Sequence, residues 1–167
     1  MTGALPPENH LPEAEDRVKV WYRFVPREGW PQYDREGVWA TLVDVDVAQV
    51  NNVPFFVDGA AEGDLVRFTT DPQGVRWVVE RVEWSGTCTI LVLPAPGGPK
   101  ATAVAVHEVF APLGIGAEEH SAEFPLVALS VPPDADLSAV KALLDEGEAA
   151  GWWFHQEACV GDEWRAA

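Results

Sequence analysis

The residue types with the greatest chemical capability cluster near the end of the chain, at His155, Glu157 and Cys159. In an extended strand successive side chains point to opposite faces, so these three residues would share one face, with Trp153 beside them. An imidazole, a carboxylate and a thiol are the groups that a nucleophilic enzyme uses as base, orienting group and nucleophile. The spacing therefore defines a candidate catalytic cluster.

A structural role explains the same segment more simply. Trp152, Phe154 and Ala158 would pack inward, while His155 and Glu157 would pair on a solvated face. Catalytic cysteine and histidine residues normally come together from distant parts of a sequence, and no oxyanion loop can be identified nearby. The sequence therefore leans against an enzyme, and the cluster is kept as the enzymatic alternative.

Motifs for a metal or a cofactor are missing from the sequence. The histidines show no metal-binding spacing, and Cys88 and Cys159 are far apart, with no C-x-x-C pattern. The glycine-rich stretch at 97–100 lacks the pattern of a phosphate loop, and Pro99 has no backbone N–H to donate. We predict no metal and no cofactor, and two reduced thiols in a cytoplasmic protein.

Charge is the clearest property of the whole chain. It carries 27 acidic and 11 basic residues, a formal net charge of -16. Nucleic acids and anionic membranes both require a cationic surface, so neither is expected as a partner. Residues 117–167 hold eleven of the acidic residues and only two of the basic ones, which directs a basic protein partner to this region. The predicted partner-binding residues are Glu118, Glu119, Trp153, His155 and Glu157.

The elements that would position these residues fall into two halves, which predicts an α+β fold. Residues 17–84 have the alternation and turn spacing of short strands and predict a small SH3-like β-barrel. The predicted strands are 17–24, 37–47, 65–68 and 75–84, and the short apolar segment 53–57 is an edge strand or a bend. Residues 1–16 are predicted to be a disordered lead-in.

Residues 85–161 change rhythm and predict a ferredoxin-like βαββαβ module. The predicted elements are a central strand at 87–93, a helix at 100–110, strands at 115–124 and 126–131, a helix with N-cap residues within 132–136 and a cap at Gly151, and a closing strand at 152–160. The alternation of Val104 and Val106 also fits a strand in place of the first helix. Residues 162–167 are predicted to be a C-terminal tail. The eight tryptophans favour a core between the two modules over a partner-binding surface.

Several short motifs are spread along the chain. They are Gly29-Trp30-Pro31, Val53-Pro54-Phe55-Phe56, Gly63-Asp64-Leu65-Val66, Pro132-Pro133-Asp134-Ala135-Asp136, Gly151-Trp152-Trp153-Phe154 and Ala158-Cys159-Val160-Gly161. With these motifs the chain resembles a bacterial family catalogued as a domain of unknown function, over nearly everything after the lead-in. The resemblance implies a stand-alone cytoplasmic protein of high-GC bacteria and carries no activity that could be transferred.

Three classes of function remain. The favoured one is a non-catalytic interaction protein that binds a basic protein partner, as an immunity or antitoxin protein does. The reasons are the large negative net charge and the lack of catalytic motifs in the sequence. The second is a small-molecule-binding regulatory module with a pocket between the two halves. The third is an enzyme that uses Cys159, His155 and Glu157.

Overall fold

The computed structural model describes residues 16–167, so the predicted lead-in at 1–16 lies outside it except for Asp16. Within the described part the elements are β1 Arg17–Arg23, β2 Arg35–Leu42, β3 Val47–Val50, β4 Leu65–Thr70, β5 Arg76–Glu83, β6 Cys88–Pro94, α1 Ala103–Phe110, β7 Gly116–Glu119, β8 Val127–Val131, α2 Leu137–Ala149, β9 Trp153–Cys159 and α3 Asp162–Ala166. Two sheets and few helices make this an α+β fold. None of the described helices is long and apolar enough to cross a membrane.

The first five strands close into a barrel. In β1 the alternate residues Val18, Val20 and Tyr22 point inward and are buried, as the period-two pattern predicted. Neighbouring strands pair antiparallel from β1 through β5, and a short parallel pairing between β5 and β1 completes the circle. Closure pairs the strand edges of this sheet with one another.

The strand predicted at 37–47 is in fact two strands. β2 ends at Leu42, and the chain turns at Asp44, whose carboxylate accepts the backbone N–H of Val45 at 2.7 Å. A local bond of this kind favours a turn over a continued ladder. β3 then begins at Val47 and pairs with both β2 and β4.

The apolar segment 53–57 is a bend within a loop, residues 51–64, that we call the junction loop. The backbone N–H groups of Phe55 and Phe56 donate to the carboxylate of Glu36, so they are not available to a neighbouring strand. Further along the loop, Gly59 and Ala60 contact the second sheet. The loop therefore connects the barrel to the rest of the fold.

The second sheet has the strand order β7-β8-β6-β9, and all its neighbours are antiparallel. β6 is central, as its β-branched, apolar sequence predicted. Helices α1 and α2 pack on one side of the sheet and enclose a second hydrophobic core. Its buried members are Cys88, Ile90, Val92, Val106, Phe110, Ile115, Val127, Leu129, Val131, Val140, Leu144, Trp153 and Trp164.

The helix boundaries follow from local hydrogen bonds. Within the predicted capping segment 132–136, Asp136 caps α2 by accepting the backbone N–H of Ala139 at 3.0 Å. Thr102 caps α1 in the same way, accepting the backbone N–H of Ala105 at 3.1 Å. Gly151, with a φ of 74°, supplies the left-handed residue between α2 and β9.

The predicted tail at 162–167 forms the short helix α3. Trp164 is only 1% exposed, and its indole N–H donates to Glu157. A helix of this length is too short to show an apolar period in the sequence, so the pattern gave no sign of it. Burial of one large ring explains why the segment is ordered.

Hydrogen bonds from the junction loop join the two sheets. The backbone N–H of Gly59 donates to the carbonyl of Ala158 at 2.8 Å. The hydroxyl of Thr89, which is fully buried, donates to the carbonyl of Ala60 at 2.9 Å. These bonds attach the second sheet to the junction loop of the barrel near the start of β6 and the end of β9.

Candidate functional site

A β-bulge in β9 divides the residues of the predicted catalytic cluster. Glu157 lies opposite Ile90, and Cys159 lies opposite Thr89, so Ala158 is an extra residue in the ladder. Paired residues point to the same side of a sheet, which places Glu157 on the helix side and Cys159 on the barrel side. The predicted common face is wrong at Cys159 because the bulge interrupts the alternation.

His155 and Glu157 are both bound by neighbouring helices. The Nδ1 atom of His155 lies 3.0 Å from a carboxylate oxygen of Glu148 in α2, and the same oxygen accepts the His155 backbone N–H. Glu157 accepts the indole N–H of Trp164 in α3. These contacts fix the end of the helix layer against β9, which is a structural role.

Cys159 has no imidazole beside it among the described residues. Its sulfur lies 3.8 Å from the Nη1 atom of Arg81 in the barrel. Burial and the nearby carboxylate of Asp64 raise the pKa of the thiol, against the opposing effect of Arg81. A nucleophilic cysteine needs a lowered pKa. The geometry therefore does not support catalysis by Cys159, His155 and Glu157.

Trp153, one of the predicted partner-binding residues, is a core residue in this fold. The side chain is 1% exposed, and its indole N–H donates to the carbonyl of Leu144 at 3.1 Å. The ring also lies against Gly147, where any side chain would overlap it. The physical reason is that α2 covers this side of β9.

Glu118 and Glu119, also predicted to bind a partner, differ in exposure. Glu118 is half-buried in β7. Burial, and the charge of Glu62, raise the pKa of Glu118. Glu119 is exposed at the end of β7. Of this pair, Glu119 is the one open to a partner.

Asp64 is a central residue that the sequence reasoning left without a role. It is fully buried, and its two oxygens accept the backbone N–H groups of Ala61 and Ser85, both at 2.9 Å. The guanidinium of Arg81 lies 3.8 Å away. Burial raises the pKa of Asp64, while the two hydrogen bonds and Arg81 oppose that shift. The one sequence signal was its place in the Gly63-Asp64 motif.

Glu36 is a half-buried acid on the inward side of β2, opposite Tyr22. It accepts the backbone N–H groups of Phe55 at 2.9 Å and Phe56 at 3.3 Å. Burial raises the pKa of Glu36 to about 7, despite these hydrogen bonds. The Tyr22 hydroxyl is buried with no hydrogen-bond partner among residues 16–167. Glu36 thus anchors the junction loop with a group that titrates near neutral pH.

An aromatic cluster joins the barrel to the loop between β7 and β8. Its members are Phe24, Trp30, Tyr33, Phe55, Phe56, His120 and Phe124. The ring centre of Trp30 lies 5.3 Å from those of Phe56 and Phe124. Two motifs that carry the family resemblance, Gly29-Trp30-Pro31 and Val53-Pro54-Phe55-Phe56, therefore meet in space.

A cleft of about 540 Å³ lies between the barrel and the second sheet. Its lining includes the acidic residues Glu62 and Glu83 and the aromatic residue Trp84. Ser130 also lines it, with a hydroxyl that lacks a hydrogen-bond partner in the described part of the chain. Two acidic residues in the lining suit a cationic group.

The helix side of the second sheet presents a strongly acidic surface, which we call the acidic helix layer. Its exposed carboxylates are Glu108, Asp134, Asp136, Asp145, Glu146, Glu148, Asp162 and Glu163. The Nζ atom of Lys141 is bound to the carbonyls of Trp164 and Ala167, each at 2.9 Å. Arg165 pairs with Asp162 at 3.1 Å. The cations of α2 and α3 therefore already have partners within the layer.

Within residues 16–167, no group of three or more His, Cys, Asp and Glu side chains is placed to hold a metal ion. The described residues offer two acidic surfaces, the acidic helix layer on one side of the second sheet and the cleft between its other side and the barrel. Both lie in or against the second sheet.

Comparison with known protein families identifies the class of protein, which has no assigned activity. A family model described as a domain of unknown function, DUF4265, matches residues 36–155. The chain belongs to this family. The matched region includes the junction loop, the cleft and α2.

The solved structures add a likeness of fold. A hypothetical protein from Neisseria gonorrhoeae matches with a TM-score of 0.68 and 16% sequence identity, covering 89% of this chain and 99% of that chain. A search of the curated proteins gives no match. At this identity the likeness concerns the fold alone.

Proposed function

We propose that this protein is a non-catalytic interaction protein whose acidic helix layer binds a basic protein partner. The observation that carries the proposal is the density of exposed carboxylates on α2 and α3, where Lys141 and Arg165 are already bound. An uncompensated acidic surface attracts a cationic partner and speeds its association. An immunity-like, antitoxin-like or accessory role in the cytoplasm of a high-GC bacterium fits this chemistry.

The cleft between the barrel and the second sheet is a second acidic feature, on the other side of that sheet from the acidic helix layer. Glu62 and Glu83, which line it, would receive a lysine or arginine side chain of the partner. Glu119, exposed at the opposite end of β7 from the cleft, is a further carboxylate open to a partner. Binding of a small regulatory molecule in this cleft stays a prediction.

The finer description of the fold is also part of the proposal. We infer an SH3-like barrel at 17–84 followed by a ferredoxin-like module at 85–161. The supporting observations are the closed five-stranded barrel and the strand order β7-β8-β6-β9 in a βαββαβ sequence of elements. An experimental structure with another strand order in either sheet would contradict it.

A charge-reversal experiment tests the partner-binding surface. The variant Asp145→Lys/Glu146→Lys changes two exposed carboxylates near the C-terminal end of α2, where cations suit the helix dipole. The matched control, Glu28→Lys/Asp58→Lys, makes the same change in net charge on exposed residues of the barrel half. Both variants are immobilised beside the wild-type protein and exposed to lysate of the source organism.

The expected result is a basic protein retained by the wild type and the control but lost from the α2 variant. Retention should also fall between about 50 mM and about 500 mM NaCl, because salt screens interactions between exposed charges. The retained protein is then purified and its affinity for all three chains is measured by calorimetry. Equal affinity for the α2 variant and the wild type, or no retained basic protein at low salt, rejects the proposal.

A further inference from the structure

A second charged surface lies on the outer side of the barrel, and it has the opposite sign. Eight of the eleven Lys and Arg residues of the chain fall within residues 17–84. The outward positions of β1, together with tryptophans of β2 and β5, form what we call the tryptophan–cation face. Its members are Arg17, Lys19, Trp21, Arg23, Trp39 and Trp77.

The cations of this face are stacked on its indole rings. The guanidinium carbon of Arg17 lies 4.5 Å from the ring centre of Trp39. The Lys19 ammonium lies 5.1 Å from that centre and 5.5 Å from the ring centre of Trp21. Cation–π contacts of this kind hold a charged group in place without neutralising it.

The other end of the face repeats the arrangement. The guanidinium carbon of Arg23 lies 3.9 Å from the ring centre of Trp77. Gly37 in β2 keeps the middle flat, because a Cβ there would lie 2.6 Å from Cε of Lys19 and 2.9 Å from a ring carbon of Trp21. The side chains thus lie across the backbone and form a shallow platform.

Two cations of this platform, Arg17 and Lys19, make no ion pair in the described part of the chain. Arg23 also makes no ion pair there, but its charge lowers the pKa of Asp34 and of Asp71, so acidic residues lie near that end of the face. The neighbouring Arg35 binds Asp34 at 3.0 Å. Burial lowers the pKa of Lys19, as expected for a half-buried ammonium without a carboxylate nearby. A bound anion would compensate this cost.

Stacking also determines which kind of anion fits. An arginine that lies flat on an indole keeps the N–H groups at the edge of its planar guanidinium free, and that edge binds carboxylates through paired hydrogen bonds. The rings of Trp39 and Trp77 already carry the chain's own cations, so nucleic-acid bases would have to displace them in order to stack. The net charge of -16 further disfavours a long polyanion.

We propose that the tryptophan–cation face binds an extended acidic protein segment whose carboxylates occupy alternate positions. Arg17, Lys19 and Arg23 are outward residues of one strand, spaced by multiples of about 6.6 Å. An extended peptide places every second side chain at the same interval, so its carboxylates match the cations in register. This surface is distinct from the acidic helix layer and would give the molecule two docking sites of opposite charge.

The test uses a short fluorescein-labelled peptide of alternating Glu and Ser, a peptide of the same composition with its Glu residues in one block, and an oligo-dT of similar charge. Binding to the full chain is measured by fluorescence anisotropy. The variant Arg17→Gln/Lys19→Gln removes two cations of the face. The matched control, Arg27→Gln/Arg67→Gln, removes two cations that pair with Asp58, Asp46 and Glu80 elsewhere on the barrel.

The alternating peptide should bind the wild type more tightly than the block peptide does. The face variant should weaken this binding about tenfold, and the control about twofold or less. Arg17→Lys, which keeps the charge but loses the planar fork, should give an intermediate loss. Equal weakening by face variant and control, tighter binding of oligo-dT than of peptide, or no binding by a folded wild type would each overturn the proposal.

Discussion

At the scale of single residues, the buried Asp64 and the half-buried Glu36 make more hydrogen bonds that hold the loops in place than the residues that the sequence singled out. Asp64 organises the start of β4 and the segment after β5 through the N–H groups of Ala61 and Ser85. Glu36 holds the bend of the junction loop. Neither could be predicted from residue type, because one acid among 27 is distinguished only by what the fold places around it.

Glu36 should make the stability of the protein depend on pH. Its pKa is raised from 4.5 to about 7, so the folded state holds the proton more tightly than the unfolded chain does. The stabilisation is therefore fully present below pH 4.5 and is lost as the pH rises through about 7, a change of up to about 3 kcal/mol. Urea unfolding of the wild type and of Glu36→Gln, each at pH 5 and at pH 8, measures this change in the free energy of unfolding.

The Glu36→Gln variant should lose less stability between these pH values than the wild type loses. Glu28→Gln, a change at an exposed position of the same barrel, should keep the wild-type dependence. An identical pH dependence in wild type and Glu36→Gln would show that this carboxyl does not cause it.

At the scale of elements, the pattern of apolar residues predicted best where the chain stays regular. The alternation of apolar residues predicted the strands β1, β4, β5 and β6. The spacing of apolar residues and the capping residues at its two ends predicted the helix α2. The turn at Asp44, the bulge at Ala158 and the helix around Trp164 were missed. Each depends on one hydrogen bond, one extra residue or one buried ring, which a periodic pattern does not record.

The contact between α2 and β9 gives a test at this scale. Gly147→Ala should lower the free energy of unfolding by about 1–3 kcal/mol, because the added methyl overlaps the ring of Trp153. Helix propensity alone would favour the alanine by about 1 kcal/mol. Chemical denaturation followed by circular dichroism measures the change.

Ala142→Gly, on the exposed side of the same helix, is the control for propensity and should cost about 1 kcal/mol. Combining Gly147→Ala with Trp153→Phe should cost less than the sum of the two single changes, since the smaller ring leaves room. A stabilising Gly147→Ala would mean that the packing of α2 on β9 is looser than described.

At the scale of the whole molecule, charge is unevenly distributed. The acidic helix layer lies on the second sheet, and the tryptophan–cation face lies on the barrel. The distribution of acidic residues along the sequence indicated the region of the first surface, whereas the net charge gave no sign of the second. A sum over the chain cannot show that Arg17, Lys19 and Arg23 stand on one side of one strand.

The excess negative charge should also weaken the folded state at low ionic strength. With a net charge of -16 the compact chain repels itself, and salt screens that repulsion. The melting temperature should therefore rise by several degrees between about 20 mM and about 300 mM NaCl. Differential scanning calorimetry in NaCl and in KCl measures the effect, which should be the same in both. A falling melting temperature would indicate that attractive ion pairs dominate instead.

The bulge at Ala158 has a consequence for oxidation. With an unbroken ladder, Cys159 would stand directly opposite Cys88, since Glu157 is opposite Ile90. Cross-strand neighbours have Cβ atoms about 4.5–5.5 Å apart, close to disulfide geometry. The extra residue instead sends Cys159 to the barrel side, while Cys88 stays in the helix-side core. One inserted alanine thus keeps the thiols of two neighbouring strands on opposite sides of the sheet. We expect an oxidant to modify each thiol separately and not to join them in a disulfide.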